Sequence, residues 1–171
     1  EDLAFLGGMD AVHTGHVSLV EDQLATIADV APVSFDFSYR DWDYAEPLLP
    51  YVTYATFSRP LDSDQDCRAL LRAVRDAGVP TGVVTRGDRG SMALLDGYEI
   101  HEQKAIPAHV VDTLGAGDAF TAQLLVALSE GLEAPRAFER AAEYATRACA
   151  SLGAFGHEAS ISSLVAEGRT P

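Results

Sequence analysis

Apolar residues fall in short runs along the first half of the chain, separated by stretches with helical spacing. Val33-Ser34-Phe35-Asp36-Phe37, Tyr51 to Phe57 and Thr81-Gly82-Val83-Val84-Thr85 read as buried strands. Residues 10–18 alternate in a strand-like way, and a short helix is expected from Glu21 to about Asp29. From Ser63 to Ala77 the spacing is helical, with Leu70, Leu71 and Val74 on one side. Asp62 or Ser63 is placed to cap that helix and Gly78 to stop it. Ser91–Leu95 and Tyr98–Gln103 predict a hairpin around Asp96-Gly97. Val110 and Val111 lead into a glycine-rich turn, a long helix spans Ala116 to Gly131, and a second runs from Ala134 to about Leu152, interrupted at Gly153. Strands alternating with helices predict an α/β protein with a mostly parallel sheet flanked by helices.

At 171 residues the chain fits one domain. Hydrophobic residues make up 47% and charged residues 22%, which excludes disordered and low-complexity classes. No apolar run approaches the ~18 residues of a membrane span, and the opening Glu1-Asp2 starts no secretory leader. Charge changes the picture more. The chain has 26 acidic residues against 12 basic ones, for a net charge of −14. A nucleic-acid partner, which needs a basic face, is not expected, and any anionic ligand must be held by local geometry against the global field. Cys67 and Cys149 lack metal-ligand spacing and read as reduced thiols of a cytoplasmic protein.

The segment richest in chemistry is Asp112-Thr113-Leu114-Gly115-Ala116-Gly117-Asp118. It lies where a loop becomes a long apolar helix. A helix start presents unpaired N–H groups and a positive dipole end, and glycines let an anion approach them. Gly115, Ala116 and Gly117 therefore suit an anion hole for phosphate. Asp118, beside that hole, suits a general base that takes a proton from an attacking hydroxyl. A plain N-terminal carboxylate favoured by the helix dipole fits the same residue. Thr85-Arg86-Gly87-Asp88-Arg89-Gly90 follows a buried strand directly, where open α/β sheets bind ligands; a simple hairpin turn fits it too.

Taken together, Asp112-Thr113-x-Gly115-Ala116-Gly117-Asp118 and Thr85-x-Gly87-x-x-Gly90 resemble the signatures of the ribokinase family, the phosphofructokinase-B type carbohydrate kinases. Ser34-Phe35-Asp36-Phe37-Ser38-Tyr39-Arg40 resembles the family's Phe-Asp-x-Asn-x-Arg strand end, with Ser38 in place of Asn. Asp10-Ala11-Val12-His13 and Gly153-Ala154-Phe155 are similar to the branch that phosphorylates fructosamines such as fructoselysine. The resemblance implies a ribokinase-like fold and transfer of the γ-phosphoryl group of ATP to a primary hydroxyl. Asp118 would be the base, and Gly115, Ala116 and Gly117 the anion hole. Thr85, Gly87, Gly90 and Thr113 would serve the nucleotide's phosphate side, with Gly153 and Gly156 near adenine. His13, Asp36 and Arg40 would face the sugar or fructosamine, with His16 a further strand-end candidate. Mg²⁺ would accompany ATP. A monovalent cation such as K⁺ would fall at Asp112, the Leu114 carbonyl and carbonyls near Ala148 and Gly153.

Two departures qualify these expectations. The family's Asn-x-x-Glu is replaced by Ser58-Arg59-Pro60-Leu61-Asp62, with Asp62 one place beyond the expected Glu. The chain also resembles only the C-terminal, nucleotide-binding portion of the family, starting after the strands and lid that close over the sugar. An incomplete sheet would leave an edge and apolar surface that favour association, for instance as a homodimer. A fructokinase- or ribokinase-like sugar kinase would show the same main motifs, and beside the kinase readings stands a nucleotide-binding module without catalysis, which ADP production separates from them.

Overall fold

The computed structural model describes residues 2–95 and 99–154. A six-stranded sheet runs in sequence order: β1 (Val12–Gly15), β2 (Val33–Ser38), β3 (Tyr54–Ser58), β4 (Thr81–Thr85), β5 (Ser91–Leu94) and β6 (Ile100–Gln103). The first four are parallel, with Val12 opposite Val33, Ser34 opposite Tyr54 and Tyr54 opposite Thr81. β5 and β6 are antiparallel to their neighbours. The helices are α1 (Asp2–Leu6), α2 (Leu24–Ala28), α3 (Trp42–Ala45), α4 (Asp64–Asp76), α5 (Ala116–Ser129) and α6 (Ala134–Ala148).

Sequential parallel strands joined by right-handed crossovers put every connecting helix on one face. That face carries the larger core: Leu24 and Ile27 of α2, Ala45 of α3, and Cys67, Leu71 and Val74 of α4, packed on Phe35, Phe37, Phe57, Val84 and Met92. Phe37 stacks on Phe57 with ring centroids 4.8 Å apart. The other face is apolar only where α5 and α6 cover it. There Val83 and Ala93 meet Phe120, Leu124, Ala127, Phe138 and Ala141. Period-two alternation explains the division, since Val83 and Val84 point to opposite cores.

Several boundaries differ from the sequence reading. β3 starts at Tyr54 because Leu49–Tyr51, which contains Pro50, closes a 3₁₀ turn instead. The alternation over 10–18 gives a four-residue strand followed by a 3₁₀ turn at His16–Ser18. The cap of α4 is Ser63, whose Oγ accepts from the Asp66 amide at 3.2 Å. α6 ends at Ala148, and the Cys149 carbonyl turns to accept from Val111 at 2.8 Å. α1 and α3 are too short for periodicity to reveal. The expected Asp96-Gly97 turn lies outside the described residues. β1 forms one edge of the sheet, and Val17 and Leu19 just beyond it are each 78% exposed. Both cysteines are free thiols, and burial pushes that of Cys67 up. Among the described residues no helix is long and apolar enough to cross a membrane.

Candidate functional site

The parallel strands end at one edge of the sheet, and α5 begins there. Ser63 caps α4 and Asp41 caps α3, whereas α5, like α2 and α6, opens with no side-chain cap, here at Gly115 in the left-handed region. Gly115 has φ +78°, and a Cβ there would come within 2.7 Å of Ala154, so only glycine fits this turn. The Ala116 amide donates to the Thr113 carbonyl at 3.2 Å and the Ala119 amide to the Gly115 carbonyl at 2.9 Å. Between them, the amides of Gly117 and Asp118 have no acceptor among the described residues. A Cβ on Gly117 would meet nothing within 4 Å among the described residues, so open space lies beside this first turn. Unpaired helix-start amides beside open space are an anion-binding arrangement.

Asp112 fixes this turn. Its Oδ1 accepts from the Leu114 amide and its Oδ2 from the Gly153 amide, each at 3.0 Å. These bonds, Leu114 foremost, hold the Asp112 carboxyl below the usual carboxylate range. Gly153 therefore serves as an Asp112 partner on the loop after α6, and Ala148 ends that helix next to Cys149. Gly156 lies outside the described residues. Thr113 does not cap α5; its carbonyl shapes the turn.

The turn after β4 forms the facing wall. The Arg86 amide donates to the Gly90 carbonyl at 2.7 Å, and the Gly90 amide to the Gly87 carbonyl at 3.0 Å. Gly90 has φ +83°, and a Cβ there would lie 2.0 Å from the Gln103 carbonyl oxygen, because the exit of β6 crosses directly over it. Thr85 Oγ1 donates to the Phe57 carbonyl at 3.4 Å. A cleft of about 640 Å³ lies between the two walls. Thr85, Gly87, Gly90, Thr113, Ala116 and Gly117 line one part of it, and Ile106, Val110, Ala142, Ala145 and Cys149 line an apolar part.

Three arginines that sequence reasoning passed over hold this edge rigid. Arg86 is only 4% exposed and pairs with Asp64 at 2.9 Å; its guanidinium also donates to the Arg89 carbonyl. Arg89 pairs with the same Asp64 oxygen at 2.7 Å and donates to the carbonyls of Pro60 and Asp62. Arg59 donates to the Ser38 carbonyl at 2.7 Å and to that of Arg40, tying the end of β3 to the loop after β2. Asp62 lies 3.5 Å from Arg59, so its carboxylate pairs with that arginine and does not cap α4. The signal in sequence was the arginines inside the glycine motif, but the carboxylate they share, Asp64, lies 22 and 25 residues away.

The residues expected to face the sugar lie on β1, on β2 and in the loop after β2. His13 Nδ1 lies 3.0 Å from Ser34 Oγ. Asp36 Oδ1 accepts from the Ser38 amide at 2.7 Å in a tight turn with Ser38 at φ +51°. Burial pushes the Asp36 carboxyl above the usual carboxylate range. The Ser38 amide and the nearby His13 and His16 oppose that shift, and the charge of Asp118 adds to it. The Arg40 guanidinium lies 4.8 Å from the centroid of the Tyr44 ring and 5.9 Å from that of Tyr39, whose ring meets His16 edge-on. The Tyr44 hydroxyl, which donates to Glu21 at 2.5 Å, is pushed up to about 12 by burial and that carboxylate. Among the described residues no three acidic, His or Cys side chains form a metal cage. An ion brought by a nucleotide and keeping most of its waters, as Mg²⁺ does, fits such a site better than a resident metal.

This sheet, with its cleft at the strand ends and the start of α5, is that of a ribokinase-fold α/β protein. Arabidopsis thaliana ribokinase, solved with ribose and ATP, superposes with a TM-score of 0.77 at 24% identity, covering 90% of this chain and 54% of that one. Residues 53–158 match the pfkB family carbohydrate kinase model, and the chain belongs to that family. It is 38% identical over 158 residues to the fructosamine kinase FrlD of Bacillus subtilis, covering 92% of this chain and 55% of that protein. It is 33% identical to the fructoselysine 6-kinase of Escherichia coli K12, covering 91% and 59%. The chain thus spans less than two thirds of these relatives.

Two outcomes follow from the geometry. Gly117→Val fills the open space beside the first turn of α5 without touching protein, so it should abolish binding of an ATP analogue while leaving the urea midpoint nearly unchanged. Gly115→Val should unfold the turn and lower the midpoint. Titration calorimetry with parallel urea melts checks both, and normal nucleotide binding by the Gly117 variant would contradict the anion-hole geometry. Asp36 binds its proton more tightly folded than unfolded, so its contribution to stability falls as pH rises from the ordinary carboxylate value through its raised one. Asp36→Asn keeps an acceptor for the Ser38 amide and should be more stable than the parent near neutrality, with the gain shrinking toward pH ~4. Urea midpoints across that range test it; a difference independent of pH would contradict it.

Proposed function

We propose that this protein is an ATP-dependent sugar kinase that phosphorylates a primary hydroxyl of a fructosamine such as fructoselysine. The observation that carries the reading is the uncapped start of α5, whose first turn carries Asp118, where the amides of Gly117 and Asp118 have no acceptor among the described residues and Gly117 lines the cleft. Family membership and the names of the two relatives support the reaction class and the fructosamine.

In this reading the apolar wall of Ile106, Val110, Ala142 and Ala145 takes the base, and the Thr85–Gly90 turn runs along the phosphates. The α5 amides face the γ-phosphoryl group and stabilise the charge that builds on its oxygens. Asp118 accepts the proton of the sugar hydroxyl as that oxygen bonds to the γ-phosphorus and the bond to the ADP oxygen breaks. Mg²⁺, when bound with the nucleotide, neutralises charge on the phosphates. In this reading Asp36 and His13 hold sugar hydroxyls, and Asp112, which fixes the Leu114 and Gly153 amides, is the residue around which K⁺ would bind.

The test is Asp118→Asn. It should lower ADP production with fructoselysine by at least ~10²-fold and leave binding of a non-hydrolysable Mg-ATP analogue within about twofold. Turnover surviving within a few-fold would refute Asp118 as the base. A parent chain that binds the analogue yet makes no ADP with any sugar would favour the second reading, a nucleotide-binding module.

A further inference from the structure

A cleft that binds a nucleoside triphosphate must neutralise several negative charges, and this chain carries a net charge of −14. Its arginines give little help there. Arg86 and Arg89 share Asp64, and Arg59 is committed to the carbonyls of Ser38 and Arg40. The cleft is lined by one basic side chain among the described residues, Lys104, which is also the only lysine in the sequence. Lys104 is exposed, and no described carboxylate lies within salt-bridge distance of it.

Its backbone is held in place. A Cβ on Gly90 would lie 2.7 Å from the Lys104 carbonyl carbon and 2.6 Å from the Ala105 amide nitrogen, so Lys104 sits directly on the end of the Thr85–Gly90 turn. The Gln103 side-chain amide donates to the Lys104 carbonyl at 2.9 Å. The acidic side chain lining the same cleft is Asp88, two residues from Gly90. An ammonium on a flexible stem, anchored beside the glycine turn and without a carboxylate partner, has its complement in a phosphate chain lying along that turn.

We propose that Lys104 is a nucleotide-binding residue whose ammonium contacts the phosphate chain of the bound nucleoside triphosphate; this rests on the nucleotide reading of the cleft. The experiment is calorimetric binding of adenosine and of the Mg²⁺ complex of a non-hydrolysable ATP analogue to the parent chain, Lys104→Met and Lys104→Arg. Lys104→Met should weaken the triphosphate ~10-fold or more, the loss shrinking at high salt, and leave adenosine within about twofold. Lys104→Arg should restore most of the loss. Because there is a single lysine, amine-reactive labelling read by mass spectrometry isolates it from the α-amino group, and the triphosphate should protect it where adenosine does not. Equal triphosphate binding by the parent and the Met variant, or equal loss of adenosine and triphosphate, would overturn the role of Lys104 while leaving the cleft's assignment standing. A folded parent chain that binds neither ligand would overturn the cleft's assignment and this inference with it.

Discussion

The two oxygens of Asp112 hold the phosphate end of the cleft together. One binds the Leu114 amide in the turn that starts α5, and the other binds the Gly153 amide in the loop that leaves α6. The two helices already pack along their length against Val83 and Ala93. Packing fixes where α5 lies, but it does not fix how its first turn opens. The Asp112 bonds do that, pressing Gly115 against Ala154 so closely that no side chain fits. The amides of Gly117 and Asp118 are left without acceptors among the described residues as a result. An ordinary capping residue at this position would satisfy those amides and remove the feature that makes the site.

The opposite wall is fixed by buried charge. Arg86 lies almost wholly inside the protein, which is costly unless its donors are satisfied. Asp64 at the start of α4 and the carbonyls of Arg89 and Ser91 satisfy most of them. Because Asp64 also pairs with Arg89, one carboxylate clamps both ends of the turn after β4. Removing one partner from such a group leaves an uncompensated buried charge, so the network favours a single arrangement of the turn. Arg59 extends it to the end of β2, the strand that carries Asp36. The turn after β4 and the end of β2 are therefore joined through one set of hydrogen bonds at the strand ends.

Much of this was legible in the sequence. The alternation of Val33-Ser34-Phe35-Asp36-Phe37 foretold a strand with an aromatic core face, and it leaves Ser34 and Asp36 on the other face. The glycines at 115 and 117 marked the helix start, where local backbone rules decide the outcome. What stayed hidden depends on distant partners. Nothing near Arg86 in sequence announces Asp64, and Asp112 and Gly153, 41 residues apart, are linked beforehand only through the resemblance. Arg40 matched a motif position, yet the rings of Tyr39 and Tyr44 draw its guanidinium to themselves. Pro50 delayed the start of β3 through local chemistry that a run of apolar residues masked.

The central claim is that the free amides at the start of α5 face a bound phosphate. Backbone amide NMR shifts of this chain, recorded as a non-hydrolysable Mg-ATP analogue is added, test it most directly. The account predicts the largest changes at Gly117 and Asp118, with a second group at Gly87 and Gly90 across the cleft. Saturable binding that moved other amides and left Gly117 and Asp118 in place would contradict it.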